Sequence, residues 1–147
     1  YLCIILDLFS RRIVDYRVSR NASTNLVTST FRTAFRERGN PSGLTFHSDR
    51  GGQYTSDTFC RLLLDCNVQQ SFSNSGRPYD NAVVETFFAT FKKEEAYRRD
   101  YSSEADFRKS VEQYIQFYNE TRPHKTLAYK TPARFEELYG KDKTQDI

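Results

Sequence analysis

Short apolar runs that are typical of strands alternate with stretches of helical spacing, and this alternation constrains the fold more than any other feature of the sequence. Strands are predicted at residues 1–7, 13–18, 44–47 and 68–72, and helices at residues 24–38, 56–64, 81–96, 104–120 and 132–138. The first two strands are joined by a brief connection, which predicts an antiparallel pair. The order β-β-α-β-α-β-α-α-α predicts an α/β layered domain rather than a helical bundle or a β-sandwich.

Length and composition narrow the class of protein. The 147 residues are enough for one domain with one core, and the net charge of +3 is by itself weak support for a nucleic-acid partner. The three cysteines match no metal-ligand spacing and favour a reducing, cytoplasmic setting. No apolar run approaches the roughly 18 residues that a membrane span needs. The sequence lacks methionine and begins inside an apolar run, so we expect a fragment or a trimmed domain.

Two carboxylates stand out as candidate metal ligands. Asp49 follows the third predicted strand and precedes Gly51 and Gly52, which leave the backbone open to a bulky ligand. In open α/β sheets, ligands bind at the edge where strands end. Glu85 lies early in a predicted helix, and 35 residues separate it from Asp49. Carboxylate oxygens suit Mg²⁺ or Mn²⁺, and paired metals can promote displacement at phosphorus.

Asp49 and Glu85 also have simpler interpretations that involve no metal. An aspartate before two glycines is most often a turn residue, and a glutamate on a polar helix is most often solvated. Basic residues nearby favour the metal site, since Lys92 lies at i+7 from Glu85 on the same predicted helix face and Arg50 is adjacent to Asp49. These residues alone leave both interpretations open.

The wider pattern resembles the integrase catalytic core of bacterial insertion-sequence transposases of the OrfB type, which are relatives of retroviral integrases. Four blocks carry the resemblance, in the family's order, over nearly the whole chain. They are LDLFSRRIV from Leu6, FHSDRGGQYTS from Phe46, YDNAVVETFFATFKKE from Tyr79 and YNETRPHKTLAYKTP from Tyr118. Four ordered blocks are far more specific than any one of them.

The resemblance implies one integrase-type catalytic core domain over residues 1–147, with a C-terminal helical extension at about residues 103–140. It implies an RNase H-like fold, a mixed sheet flanked by helices, here missing the first strand. It also implies a triad of two aspartates and one glutamate that binds two Mg²⁺ or Mn²⁺ ions. Asp49 and Glu85 match the second aspartate and the glutamate.

The first aspartate of the triad has no match. In the family it lies in a Trp-x-x-Asp-Ile-Thr-like block on the first strand, and this sequence contains no tryptophan. Asp7 instead matches an aspartate of the second strand, so we expect it to support the strand-to-turn geometry rather than to bind metal.

The resemblance implies DNA transposition, in which water frees a 3′-hydroxyl at a transposon end and this hydroxyl then attacks target DNA. The implied partners are transposon ends, target DNA and further copies of the intact protein. The residues predicted to contact DNA are Lys92, Lys93, Arg50, Arg77 and His47. For His47 the sequence favours a packing role over a DNA contact, and for His124 a structural anchor and a DNA contact both remain open. The loop at residues 73–79 is predicted to border the site.

Two other functions remain open at this point. The missing first strand favours a truncated, catalytically inert remnant that binds DNA or a partner subunit. A structure-selective or RNA-degrading nuclease would share the same fold.

Overall fold

We analysed a computed structural model of the chain, which describes residues 1–74 and 81–140. The chain divides into two compact units. The first contains Tyr1–Ile5 and Val14–Thr86, and the second contains Leu6–Ile13 and Phe87–Ile147. Among the described residues, none of the helices is both long enough and apolar enough to cross a membrane.

Strands β1 (Leu2–Leu6) and β2 (Ile13–Val18) pair with each other. At one end, Tyr1 and Ser19 exchange backbone hydrogen bonds of 2.7 and 2.9 Å, so the start of β1 lies beside the end of β2. This exchange is the mark of an antiparallel pair. The predicted hairpin is confirmed.

The first unit adds three helices: α1 (Thr24–Glu37), α2 (Gly52–Thr55) and α3 (Asp57–Asp65). The hydroxyls of Ser23 and Ser56 accept hydrogen bonds from Leu26 N–H and Phe59 N–H, so these serines are the N-caps of α1 and α3. The short helix α2 was not predicted, because four residues are too few to show helical periodicity.

Strands β3 (Thr45–Ser48) and β4 (Gln69–Phe72) form a parallel pair. Thr45 pairs with Gln69 and Ser48 pairs with Phe72, so both strands end at the same edge. The described strands therefore form two separate two-stranded sheets, one antiparallel and one parallel.

The core of the first unit lies between its helices and strands. Phe31 of α1 packs edge-on against Phe59 of α3 and Phe46 of β3, at ring distances of 5.9 and 5.6 Å. Such edge-to-face contacts add to the free energy of area burial. Buried partners of these rings are Cys3, Leu26, Val27, Leu62, Leu63 and Val68.

The second unit is helical. Its elements are the C-terminal part of α4 (Ala82–Phe91), a π segment (Lys92–Ala96), α5 (Glu104–Glu120), a 3₁₀ turn (Lys125–Leu127) and α6 (Pro132–Tyr139). The sequence predicted one continuous helix to about residue 96, and the π segment corrects that prediction. Phe87 and Phe91 pack on Tyr114 and Tyr118 of α5, with ring distances of 5.1 to 6.4 Å.

The turn after β1 is fixed within the second unit. The Asp7 carboxylate accepts hydrogen bonds from Phe9 N–H at 2.8 Å and Ser10 N–H at 3.2 Å. This is the structural role predicted for Asp7. The buried Asn119 side chain accepts from Ile13 N–H and donates to the Ile13 carbonyl, both at 2.9 Å. Asn119 thus pairs with the first residue of β2 as a neighbouring strand would.

Candidate functional site

Asp49 immediately follows β3, at the edge where the parallel pair ends. Its side chain is exposed, and Oδ1 accepts a 2.8 Å hydrogen bond from Gly51 N–H. A Cβ at Gly51 would lie 3.0 Å from this oxygen, whereas a Cβ at Gly52 would meet nothing within 4 Å. A side chain at position 51 would therefore crowd the Asp49 carboxylate, whereas a side chain at position 52 would not.

His47 lies on β3, two residues before Asp49. Its Nδ1 lies 3.0 Å from Ser71 Oγ and its Nε2 lies 3.0 Å from Ser73 Oγ. Both ring nitrogens therefore join β3 to β4 and to the residue that follows β4. Because these contacts use both polar atoms of the ring, the structure gives His47 a structural role, and its predicted DNA contact stays a prediction.

Arg50 is exposed beside Asp49, and its guanidinium lies 5.5 Å from the centre of the Phe72 ring. A cation over an aromatic face is held in place without losing its charge. The structure therefore places a fixed, exposed cation beside Asp49, at the edge predicted to meet DNA.

Glu85 lies in the first turn of α4, with its side chain exposed. Within the described residues its carboxylate forms no hydrogen bond or ion pair. The structure does not describe residues 75–80. These include the predicted DNA contact Arg77, most of the predicted loop at residues 73–79, and Asp80, which we expect from the sequence to cap the helix predicted at residues 81–96.

Lys92 and Lys93 belong to the second unit, where both are exposed at the start of the π segment. Two residues further on, Glu94 accepts hydrogen bonds from the Arg122 guanidinium at 2.8 to 3.1 Å and from the Tyr114 hydroxyl at 2.9 Å. The hydrogen bonds from Arg122 lower the pKa of Glu94 and, reciprocally, raise the pKa of Arg122. The third and fourth motif blocks meet at this ion pair.

His124 is buried, and its Nε2 lies 2.9 Å from the Tyr118 carbonyl oxygen. Since a carbonyl only accepts, Nε2 must carry the proton. Burial lowers the pKa of His124, which favours the neutral ring. Its backbone pairs with Lys130 in an isolated bridge. Of the two roles open for His124, the structure supports the structural anchor.

The donor set of Asp49 and Glu85 fits a hard divalent cation. Both are exposed carboxylates, and Asp49 Oδ2 accepts no hydrogen bond from any described residue. Oxygen ligands of this kind suit Mg²⁺ and Mn²⁺. In residues 1–74 and 81–140, no three or more His, Cys, Asp or Glu side chains group so as to hold a metal ion. The metal role of Asp49 and Glu85 therefore stays a prediction.

Comparison with known protein families shows which family the chain belongs to. A family model described as integrase core domain matches residues 1–78, and a second model with the same description matches residues 66–132. The chain belongs to the integrase core domain family. Asp49 lies within the first match and Glu85 within the second.

Two similar proteins are insertion-sequence transposases. This integrase core is 36% identical over 138 residues to the transposase for insertion sequence element IS904 of Lactococcus lactis, covering 93% of the chain and 54% of that protein. It is 33% identical over 135 residues to the putative transposase InsK of IS150 from Escherichia coli, covering 92% of the chain and 48% of that protein. The chain thus spans about half the length of these curated relatives.

Solved structures show the fold of this integrase core. The catalytic core domain of BIV integrase superposes with a TM-score of 0.70 at 16% identity, covering 98% of this chain and 90% of that one. A simian T-cell lymphotropic virus intasome solved with a PP2A regulatory subunit gives a TM-score of 0.71 at 17% identity, covering 91% and 47%. The predicted RNase H-like fold is confirmed.

Three positioning residues of this integrase core were not singled out by the sequence. Gly51 was noted for openness, although its backbone N–H is what holds Asp49. Asn119 and Glu94 lie in the motif blocks, but their partners are 106 and 28 residues away. The opposite charges of Glu94 and Arg122 were the only signal in the sequence that could have suggested their pairing.

Proposed function

We propose that this chain is the catalytic core of a DNA transposase that cuts and joins phosphodiesters with the help of Mg²⁺ or Mn²⁺. The position of Asp49 is the observation that carries this proposal. Its carboxylate lies at the end of a parallel strand pair in an integrase core domain, is held by Gly51 N–H and keeps an oxygen free for a ligand.

The residues of this chain have separate roles in the proposal. Asp49 and Glu85 would hold the divalent ions, of which two are expected in a complete site. Bound ions of this kind activate a nucleophile and stabilise a leaving oxygen on phosphorus. Arg50, fixed over Phe72, and Lys92 would bind DNA phosphates and align the strand. Two carboxylates alone leave the ligand set short of a triad, so a further carboxylate is part of the proposal.

The experiment is a strand-cleavage and joining assay on a labelled duplex that carries the DNA ends flanking the coding sequence. Wild type, Glu85→Gln and Asp49→Asn are compared in Mg²⁺, in Mn²⁺ and in EDTA. Glu112→Gln is the matched control, because Glu112 is an exposed glutamate on α5. We expect cleavage only with metal, loss of at least about a hundredfold in both site variants, and no loss in the control.

Three results would contradict the proposal. Full activity of Glu85→Gln would remove the metal role of that carboxylate. Preferential cutting of RNA–DNA hybrids would favour a nuclease. DNA binding by the wild type without any cutting in either metal would favour an inert remnant. Because joining two DNA ends brings two sites together, the proposal also includes self-association, which sedimentation of the protein on paired DNA ends would test.

A further inference from the structure

The second unit contains an open cleft of about 600 Å³ that the proposed metal site does not use. Its lining combines aromatic rings from Tyr114 and Phe117 with the side chains of Arg98, Arg99 and Arg122. Phe117 is 42% exposed although its side chain is wholly apolar. A concave surface with apolar walls and a few convergent polar groups is where ligands bind.

Among the described residues that line the cleft, Arg98 is the cation that forms no ion pair. Glu94 is paired with Arg122 at 2.8 Å, and Glu95 is paired with Arg99 at 3.7 Å. The guanidinium of Arg98 forms no ion pair with a carboxylate of the described residues, and its Nε donates to a backbone carbonyl at 3.2 Å. The cleft therefore presents a positive charge that a ligand can still use.

Ser110 supplies a second, independent observation. It lines the cleft, is 2% exposed, and its hydroxyl has no hydrogen-bond partner in the described part of the chain. A buried hydroxyl without a partner carries a free-energy penalty that a ligand atom would remove. Gln113, also in the lining, adds an exposed amide with both donor and acceptor capacity.

We infer that this cleft binds an unpaired nucleotide of a DNA strand, with the base stacked on Phe117 and its phosphate on Arg98. The identity of the ligand as DNA rests on the proposed function. Aromatic rings interleaved with cations are the usual means of binding single strands, because every base has a face that can stack. An intact duplex keeps its base faces covered, and an acidic peptide has no base to stack on the ring.

The test measures binding in EDTA, where no cleavage occurs, by fluorescence anisotropy with the 147-residue chain. The probes are a labelled single strand of about ten nucleotides and a blunt duplex of the same sequence. Phe117→Ala is expected to weaken single-strand binding about tenfold and to leave duplex binding unchanged. The matched control is Tyr97→Ala, since Tyr97 is 77% exposed and lies outside the cleft lining. Phe117→Leu keeps the apolar packing without a ring face and should match the alanine variant.

The cation is tested by salt dependence. Arg98→Ala should lower the slope of log affinity against log salt by about 0.7 for the single strand. Arg134→Ala, which removes an exposed arginine of α6 already paired with Glu137, is its control and should leave single-strand binding unchanged.

Two results would overturn the inference. One is equal weakening of strand and duplex, or no weakening, in both Phe117 variants. The other is displacement of the strand by an acidic peptide, with Phe117→Ala having no effect on binding of that peptide.

The outcomes for the two proposals are separable. Glu112→Gln, which alters an exposed glutamate of α5 outside the cleft lining, should leave binding in EDTA unchanged. If the wild type never cuts DNA but Phe117→Ala weakens strand binding, the proposed function fails and the cleft inference stands. If cutting requires Glu85 while neither Phe117 variant changes strand binding, the proposed function stands and the cleft inference fails.

Discussion

Gly51→Ala tests whether the glycine after Asp49 is there to hold the carboxylate. The backbone of Gly51 has φ −56° and ψ 147°, which alanine adopts without strain. The added Cβ would lie 3.0 Å from Asp49 Oδ1, so the carboxylate must move and the 2.8 Å hydrogen bond weakens. Weakening a hydrogen bond to an exposed carboxylate costs about 1 kcal/mol, and alanine recovers about 0.5 kcal/mol because it restricts the unfolded chain. We expect a net decrease of about 0.5 kcal/mol in the free energy of unfolding.

Gly52→Ala is the matched control, because its Cβ would meet nothing within 4 Å, and it should raise the free energy of unfolding by about 0.5 kcal/mol. Urea unfolding followed by circular dichroism measures both, since the chain has no tryptophan. In an Asp49→Ala background, Gly51→Ala should become stabilising by about 0.5 kcal/mol, which gives a coupling energy of about 1 kcal/mol. An identical effect of Gly51→Ala in both backgrounds would refute the steric argument.

Three further predictions concern the second unit. Ser10→Ala should lower the free energy of unfolding by about 1–3 kcal/mol, because this buried hydroxyl donates to a carboxylate at 2.7 Å. Ser110→Ala should leave the free energy of unfolding unchanged or raise it, since the Ser110 hydroxyl has no partner among the described residues. Thermal unfolding of the two variants compares these effects. Asn119→Ala should cost about 2–5 kcal/mol in urea unfolding, because two buried backbone groups of β2 lose their partner. Glu94→Gln should cost about 1.5–3 kcal/mol at neutral pH. Because Arg122 lowers the folded-state pKa of Glu94, that loss should shrink as the pH falls below the ordinary value of 4.5, and a loss independent of pH would contradict it.

Local signals in the sequence were enough to predict most elements of the fold. Ser23 and Ser56 each precede a helix, and each caps it through a contact three residues away. The strand at residues 13–18 was predicted with its observed bounds because its alternation is complete. Helix caps and strand bounds of this kind depend on residues that are neighbours in the chain, so they can be predicted from a single sequence.

Features that depend on distant partners could not be predicted in this way. The sequence indicated that Asp49 ends a strand, but not that His47 would bind serines 24 and 26 residues away. The two roles of His124 could not be separated either, since its burial and its bond to the Tyr118 carbonyl follow from tertiary packing. The residues themselves suggested Asp49 and Glu85 as joint metal ligands and the family resemblance favoured this interpretation, which stays a prediction.

The π segment at Lys92–Ala96 affects how the helix formed by α4 and this segment responds to a one-residue deletion. A π turn is a regular helix that has accommodated one additional residue. Removing one residue from the segment would restore the α-helical repeat and leave the residues beyond it on nearly the same face, because a π turn contains one residue more than an α turn. Removing one residue from the regular turns of α4 would instead rotate the residues that follow by about 100°. A one-residue deletion should therefore be tolerated better within the π segment than within α4.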